Sequence, residues 1–244
     1  MKRIILTIVC VIFSHVIFAQ TYNMKIKQGT GSTFSETGTV DEITFENTTS
    51  FTCGNAILYG GETYPTILIG TQCWFQKNLN IGIRIHGANG QTNTPPNMIE
   101  KYCYGNNDAS CTTYGGLYQW AEAMNYTASG SNVQGICPTG WHIPTQAEFA
   151  SLSVFVNSNE LKALGQGVGD GAGTNMRRFS ALLAGYRDYY DGTFAYLIND
   201  TYFWSSTEGG AGAYFMYLNH AGSDISVATD LKEYGYSVRC LKNE

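Results

Sequence analysis

The apolar and polar positions near the middle of the chain follow the pattern of an α-helix. Thr145 and Glu148 stand three residues apart just before an apolar run. The Thr145 hydroxyl can therefore cap the first turn, while the Glu148 carboxylate bonds back to the Thr145 amide. Apolar residues then recur at helical spacing: Phe149, Leu152, Phe155 and Val156. The pattern predicts a helix that begins after Thr145 and buries these side chains.

Other apolar positions indicate a second short helix and several strands. One further set has the spacing of a single helix face: Leu117, Trp120, Ala121 and Met124. Short segments rich in aromatic and β-branched residues predict strands, and a turn at Gly70 joins the first two into a hairpin. These segments are 64–69, 73–75, 182–184, 194–198, 202–204, 213–218 and 236–240. We therefore expect an α+β fold with two short helices and several short antiparallel strands.

The beginning of the chain has a different pattern from the rest. Two basic residues followed by an apolar run are typical of a secretory signal peptide, here 1–19. A membrane anchor is the less favoured alternative, because Ser14 and His15 interrupt an already short run. We expect no transmembrane segment after cleavage. Residues 20–50 predict an N-terminal β ribbon and linker, and 51–244 a single domain.

The charge balance bears on the class of partner. The formal net charge is −5, and loss of Lys2 and Arg3 with the signal peptide would lower it to −7. An acidic chain is a poor match for the phosphate backbone of nucleic acid or for an anionic membrane surface. We therefore expect neither as a partner.

The cysteine count bears on the redox compartment. Of the seven cysteines, Cys10 lies within the predicted signal peptide, which leaves six. An even number in an exported chain predicts three disulfides, and a zinc site is disfavoured because no close cysteine pair has a histidine at ligand spacing. Six cysteines allow fifteen connectivities. Cys103 and Cys111 flank a polar loop and are preferred as one pair.

Five phrases resemble a known family in the same order. They are GGLYQWAEAM at 115–124, CPTGWHIPTQAEF at 137–149, AGYR at 184–187, FWSSTE at 203–208 and GYSVRC at 235–240. Over roughly 51–242 the chain resembles the Fibrobacter succinogenes major paralogous domain, which is similar to the C-type lectin-like fold. The resemblance implies a disulfide between Cys137 and Cys240, which leaves Cys53 and Cys73 as the remaining pair.

The candidate chemistry is concentrated late in the chain. Seven of the 17 tyrosines lie between 186 and 217, interleaved with carboxylates. Aromatic rings beside carboxylates suit sugars, whose C–H faces stack while their hydroxyls donate hydrogen bonds. The alternative is a strand-rich core with solvent-facing tyrosines. In C-type lectin-like folds this late segment supplies the ligand face. The candidate ligand-binding residues are Tyr186, Asp188, Tyr190, Trp204, Glu208, Tyr217, Asn219 and Asp224.

Strand alternation separates some of these candidates. Met216 and Leu218 are expected to face inward, so Tyr217 is expected to face outward. Neither a Glu-Pro-Asn nor a Trp-Asn-Asp lectin signature occurs. Calcium-dependent sugar binding is therefore not expected, and we predict no metal or cofactor.

The sequence gives little indication that the protein is an enzyme. His86, His142 and His220 lack metal-ligand spacing, and no Gly-x-Ser-x-Gly motif occurs. We expect an exported binding module, extracellular, at the cell surface or periplasmic, that recognises an unknown carbohydrate or surface protein and is not an enzyme. The alternatives are a structural surface component without a small ligand and a polysaccharide hydrolase that uses a carboxylate pair such as Asp188 and Asp191.

Overall fold

The computed structural model describes residues 4–6, 22–28, 40–47, 51–93 and 98–244, with the backbone alone for the first three ranges. Two compact units form, Met1–Thr52 and Cys53–Glu244. The first contains a three-stranded antiparallel sheet of β1 (Ile4–Leu6), β2 (Tyr22–Gln28) and β3 (Val40–Asn47). Strand β1 lies in the segment predicted as a signal peptide, and that assignment stays a prediction.

The second unit is an α+β assembly of short helices and mostly antiparallel strands. Its helices are α1 (Asp108–Tyr114), α2 (Trp120–Ala123), α3 (Gln146–Phe155) and α4 (Ser158–Leu161), with 3-10 turns at Tyr104–Asn106 and Gly169–Gly171. Its strands are β4 (Ile57–Tyr59), β5 (Glu62–Tyr64), β6 (Thr66–Ile69), β7 (Gln72–Phe75), β8 (Ile83–Arg84), β9 (Glu100–Lys101), β10 (Trp141–His142), β11 (Ala184–Arg187), β12 (Phe194–Leu197), β13 (Asp200–Gly209), β14 (Gly212–Asn219), β15 (Ser226–Asp230) and β16 (Leu241–Lys242).

Two larger sheets organise this unit. One has the order β10-β16-β7-β6, and the other has the order β12-β11-β13-β14-β15. Only the β11–β13 pair in these two sheets is parallel, through Gly185 and Thr201. The predicted hairpin at Gly70 is confirmed as β6–β7. No helix in the described part of the chain is long and apolar enough to span a membrane.

The hydrophobic core joins the two sheets through aromatic rings. Trp74 of β7 is fully buried and stacks on Phe149 of α3, with ring centroids 5.7 Å apart. Trp74 also contacts Phe179 edge-on. The centroid of the Phe179 ring lies 6.0 Å from that of Phe203 in β13. Aromatic pairs in these geometries add stability beyond the apolar area they bury. The chain of rings therefore couples α3 to both sheets.

The last residues of the chain contact both sheets through backbone hydrogen bonds. The Phe75 amide donates to the Cys240 carbonyl at 3.1 Å, and Leu79 donates to Val238 at 2.9 Å. On the other side, the Trp204 amide donates to Ser237 at 3.1 Å. This segment, 235–241, was predicted to be a strand up to residue 240. Residues 235–237 instead form isolated bridges, each to a different part of the chain, and a regular strand begins only at Leu241 of β16.

The capping box predicted for α3 is confirmed. The Glu148 amide donates to the Thr145 hydroxyl at 3.2 Å, and the Thr145 amide donates to the Glu148 carboxylate at 2.6 Å. Phe149 and Leu152 are buried in the helix and Val156 just after it, as predicted. Phe155 is 48% exposed, so its predicted burial is wrong. Its ring covers the Gly70 turn, where a Cβ would lie 2.8 Å from the ring.

Two other helix predictions need correction. The second predicted helix is a single turn, Trp120–Ala123, and Leu117 lies before it in a β bridge with Tyr102. The segment between Cys103 and Cys111 is not a simple polar loop. Cys111 lies inside α1, which Asn107 caps by accepting a hydrogen bond from Ala109. Asn and Asp before a helix favour such a cap, and this signal was overlooked.

The three disulfides form with the predicted pairing. They join Cys53 to Cys73, Cys103 to Cys111, and Cys137 to Cys240. The third closes a separation of 103 residues and connects the middle of the chain to segment 235–241. In the chain-entropy account, closure of a long loop restricts the unfolded chain more than closure of a short one.

The capping box yields a stability prediction. Thr145→Ala should lower the free energy of unfolding by about 0.5–2 kcal/mol, because the Glu148 amide loses its acceptor. Thr145→Ser keeps a hydroxyl at the cap and should recover most of the loss. Thermal and urea unfolding of the three proteins provide the measurement. An unchanged Thr145→Ala midpoint would mean that the cap contributes nothing to the fold.

Candidate functional site

The candidate site lies on the face of the five-stranded sheet that points away from α3. Side chains alternate along a strand, so Phe203, Met216 and Leu218 point into the core that contains Phe149 and Leu152 of α3. This confirms the inward orientation predicted for Met216 and Leu218. Tyr202 and Tyr217 point to the opposite face, where they are direct partners in the β13–β14 register.

Trp204 is on this second face but is not accessible. Its side chain is 0% exposed, and its ring lies 4.4 Å from that of Tyr236, which covers it. The indole N–H donates to the Tyr118 carbonyl at 2.8 Å. A side chain buried in this way cannot stack on a ligand. Trp204 is therefore removed from the candidate ligand residues and belongs to the core.

Beside the covered tryptophan lies a group of mutually contacting tyrosines, which we call the tyrosine face. Tyr186 is central: its ring is nearly parallel to Tyr196 at 5.8 Å and edge-on to Tyr202 at 5.4 Å and Tyr234 at 5.6 Å. Tyr202 lies 5.0 Å from Tyr217. Four of these rings are half-buried and Tyr196 is 53% exposed. The tyrosine face is Tyr186, Tyr196, Tyr202, Tyr217 and Tyr234.

The edge of the tyrosine face has an uncommon backbone conformation. Tyr196 has φ 60° and Ile198 has φ 63°, both in the left-handed region. For bulky or β-branched residues this conformation costs of order 1–3 kcal/mol and recurs at binding sites. Both side chains are exposed, at 53% and 62%. The strained backbone thus carries two large exposed side chains, of which Tyr196 lies beside Tyr186.

One carboxylate is shared by two tyrosines of the face. Asp200, only 6% exposed, accepts a hydrogen bond from the Tyr217 hydroxyl at 3.1 Å and from the Tyr202 hydroxyl at 3.4 Å. Burial raises the pKa of Asp200 above its ordinary value, and the two tyrosine hydroxyls offset part of that rise. The group is therefore a desolvated acceptor at the floor of the face.

The tyrosine hydroxyls remain donors at neutral pH. Burial raises the pKa of Tyr217 and of Tyr234 to about 12, and the nearby carboxylates Asp200 and Asp230 add to the rise. Burial likewise raises the pKa of Tyr202. A tyrosine in this state is a neutral amphipathic ring with one donor and one acceptor at its tip.

A comparison of the sequence with protein families matches the Fibrobacter succinogenes major domain over residues 67–242. The chain belongs to this family. The resemblance found in the sequence phrases is thus confirmed. No curated protein and no solved structure matches the chain.

Two of the other candidate residues of this Fibrobacter succinogenes major domain, Asp188 and Asn219, adjoin the tyrosine face. Asp188 accepts from the Tyr190 amide at 2.7 Å and shapes the turn that leaves Tyr190 86% exposed. Glu208 forms an ion pair with Lys232. Two further candidates lie near the end of β14. Asn219 pairs with Asp200 in the strand register and closes the following turn through the Gly222 amide, and Asp224 is exposed in the next loop.

Five residues of the site in this family domain were not among the candidates: Tyr196, Asp200, Tyr202, Asp230 and Tyr234. Tyr234 contacts Tyr189 at 4.9 Å as well as Tyr186, and Asp230 accepts from the Tyr236 hydroxyl at 2.7 Å. Asp230 ends β15, a strand that the sequence analysis did not predict, and Tyr234 follows that strand. The alternation of Tyr234 and Tyr236 around one glycine was the available signal.

In the described ranges, no three His, Cys, Asp or Glu side chains are grouped so that they could hold a metal ion. A separate cavity of about 160 Å³ is lined in part by Asn78, Asn80 and the buried Arg239. It shares no lining residue with the tyrosine face. The side chains of the face offer aromatic rings for stacking and hydroxyl and carboxylate groups for hydrogen bonding.

The buried carboxylate predicts a pH-dependent contribution. A carboxyl whose pKa is raised on folding favours the native state when protonated, so its contribution is lost as pH rises from 3.8 through the raised pKa. Wild type should lose stability relative to Asp200→Asn over this range. We expect the difference in thermal midpoints to change as the pH rises above 3.8.

Glu208 provides a control of opposite sign. Its hydrogen bond to Lys232 lowers its pKa, so wild type should gain stability relative to Glu208→Gln as pH rises toward 4.5. The same sign for both variants would contradict the assignment of a desolvated Asp200.

Proposed function

We propose that the protein is an exported carbohydrate-binding module with a C-type lectin-like fold, and that neutral sugars bind at the tyrosine face. The observation that carries the proposal is the juxtaposition of accessible tyrosine rings with Asp200. Sugar C–H groups pack on aromatic faces, and sugar hydroxyls donate to carboxylates and accept from tyrosine hydroxyls. The stacked pair of Tyr186 and Tyr196 offers an apolar platform next to that acceptor.

The charge of the surroundings favours an uncharged ligand. Asp188, Asp200 and Asp230 lie near the tyrosine rings and interact electrostatically with Tyr186. Negative carboxylates disfavour phosphates and acidic sugars and favour groups that donate hydrogen bonds. A neutral polysaccharide can both stack on the rings and donate hydrogen bonds to the carboxylates. Nucleic acid is a poor match for the same reason.

Binding rather than catalysis is proposed because the buried carboxylate is already engaged. Each oxygen of Asp200 accepts a hydrogen bond from a tyrosine hydroxyl. Most glycoside hydrolases use two carboxyl groups that flank the scissile bond, one as an acid and the other as a base or a nucleophile. Asp200, an acceptor shared by two tyrosines at the floor of the tyrosine face, is better suited to ligand binding than to catalysis.

Export is supported by the covalent structure. Three disulfides require an oxidising compartment to form and persist. The link from Cys137 to Cys240 and the short helices beside antiparallel strands support the lectin-like proposal. We propose an extracellular, cell-surface or periplasmic location.

The test is binding to a panel of neutral and acidic glycans, with variants matched for exposure. Tyr196→Ala should weaken binding by about 1–3 kcal/mol, because it removes an exposed stacking ring. Its thermal midpoint should change little. Phe155→Ala removes a ring of similar exposure, 48% against 53%, outside the face and should leave binding intact. Trp204→Ala should instead lose about 3–5 kcal/mol of stability.

Two results would overturn the proposal. One is the absence of binding to any neutral glycan, which would favour a structural surface component. The other is an equal loss of binding in Tyr196→Ala and Phe155→Ala. Turnover of a soluble polysaccharide that Asp200→Asn abolishes would instead establish a hydrolase.

A further inference from the structure

A lysine, an asparagine and a glutamate form a contact chain remote from the tyrosine face. The Lys101 ammonium donates to Asn80 Oδ1 at 2.7 Å and lies 3.4 Å from the Asn80 backbone carbonyl. The Asn80 amide nitrogen donates to Glu62 Oε1. Asn80 is 9% exposed, and Lys101 and Glu62 are half-buried. The asparagine amide is thus held between an amine and a carboxylate.

The fold fixes the backbone on which these side chains stand. Strand β9 places Lys101 in parallel register with Arg84 of β8. The backbone amide of Asn80 donates to the buried Tyr64 hydroxyl at 3.1 Å, and Tyr64 belongs to β5 together with Glu62. Strands β5 and β9 therefore supply the two groups that contact the Asn80 side chain. The four-carbon stem of Lys101 is flexible and can adjust.

We propose that Lys101 and Asn80 become joined by an intramolecular isopeptide bond, with Glu62 transferring the proton. The amine nitrogen attacks the side-chain carbonyl carbon of Asn80, Cγ. A new Nζ–Cγ bond forms and the Cγ–Nδ2 bond breaks. One proton leaves the attacking nitrogen and reaches Nδ2 through the Glu62 carboxylate, so ammonia departs. The Lys101 ammonium first releases one proton to solvent. The neutral amine and the amide then supply all atoms of the isopeptide bond and of ammonia, and no oxidant, reductant or cofactor is required.

Two properties of the site favour this reaction. The fold holds the Lys101 amine beside the Asn80 side-chain amide, so the reaction is intramolecular. The attack needs only a shift of Nζ from the carbonyl oxygen toward Cγ. Burial lowers the pKa of Lys101, so a larger fraction of the amine is neutral and nucleophilic. The carboxylate contacts the leaving nitrogen, where a departing amide needs a proton. The product would connect β9 to the segment after β7.

The test is the mass of the full exported protein, reduced to open its disulfides. We expect a mass lower than the sequence mass by one ammonia. After trypsin, peptide 78–84 should be joined to the peptide that contains Lys101. Lys101→Arg keeps the positive charge but cannot form the bond, and it should show the full mass. Glu62→Gln keeps the size of the side chain and should lose most of the cross-link.

Several results would overturn the proposal. A wild-type mass equal to the sequence mass would do so directly. Loss of ammonia confined to peptide 78–84 would indicate a succinimide at Asn80 instead of a cross-link. If Glu62→Gln gave as much linked peptide as wild type, Glu62 would have no role in the reaction. The wild-type measurement stands even where a variant fails to fold.

Discussion

The fold depends on a buried guanidinium in the last segment of the chain. Arg239 is 1% exposed and donates to the carbonyls of Phe75 at 3.1 Å and Phe179 at 2.6 Å, and to the Asn78 side chain. Its guanidinium also lies 4.4 Å from the Phe179 ring. Burial lowers its pKa to about 9, so it stays charged at neutral pH. Because a buried charge must be paired, these oxygens and segment 235–241 are held together.

The same segment determines which aromatic residues reach the surface. Tyr236 stacks on Tyr202 at 4.7 Å and covers Trp204, whereas Tyr234, two residues earlier, remains at the edge beside Tyr186. The aromatic sheet face is therefore divided into a covered half and an accessible half. The position of one crossing segment accounts for both the stability of the core and the composition of the tyrosine face.

The spacing of residues along the chain correctly predicted the features that depend on neighbouring residues. The capping box at Thr145, the burial of Phe149 and the inward orientation of Met216 follow from spacing and alternation. Alternation assigns a side chain to a sheet face but does not reveal what covers that face. Trp204 was therefore taken as a ligand residue, because its cover, Tyr236, comes from a distant segment that forms no regular strand. Exposure set by long-range contacts is not encoded in local sequence.

The most direct test is native-state hydrogen exchange of the amides that donate to segment 235–241. The Phe75, Leu79 and Trp204 amides make these bonds. If the segment holds the two sheets together, all three should exchange only through global unfolding, with the same free energy. Exchange of these amides through local opening, while the β13–β14 hairpin stays protected, would contradict the account.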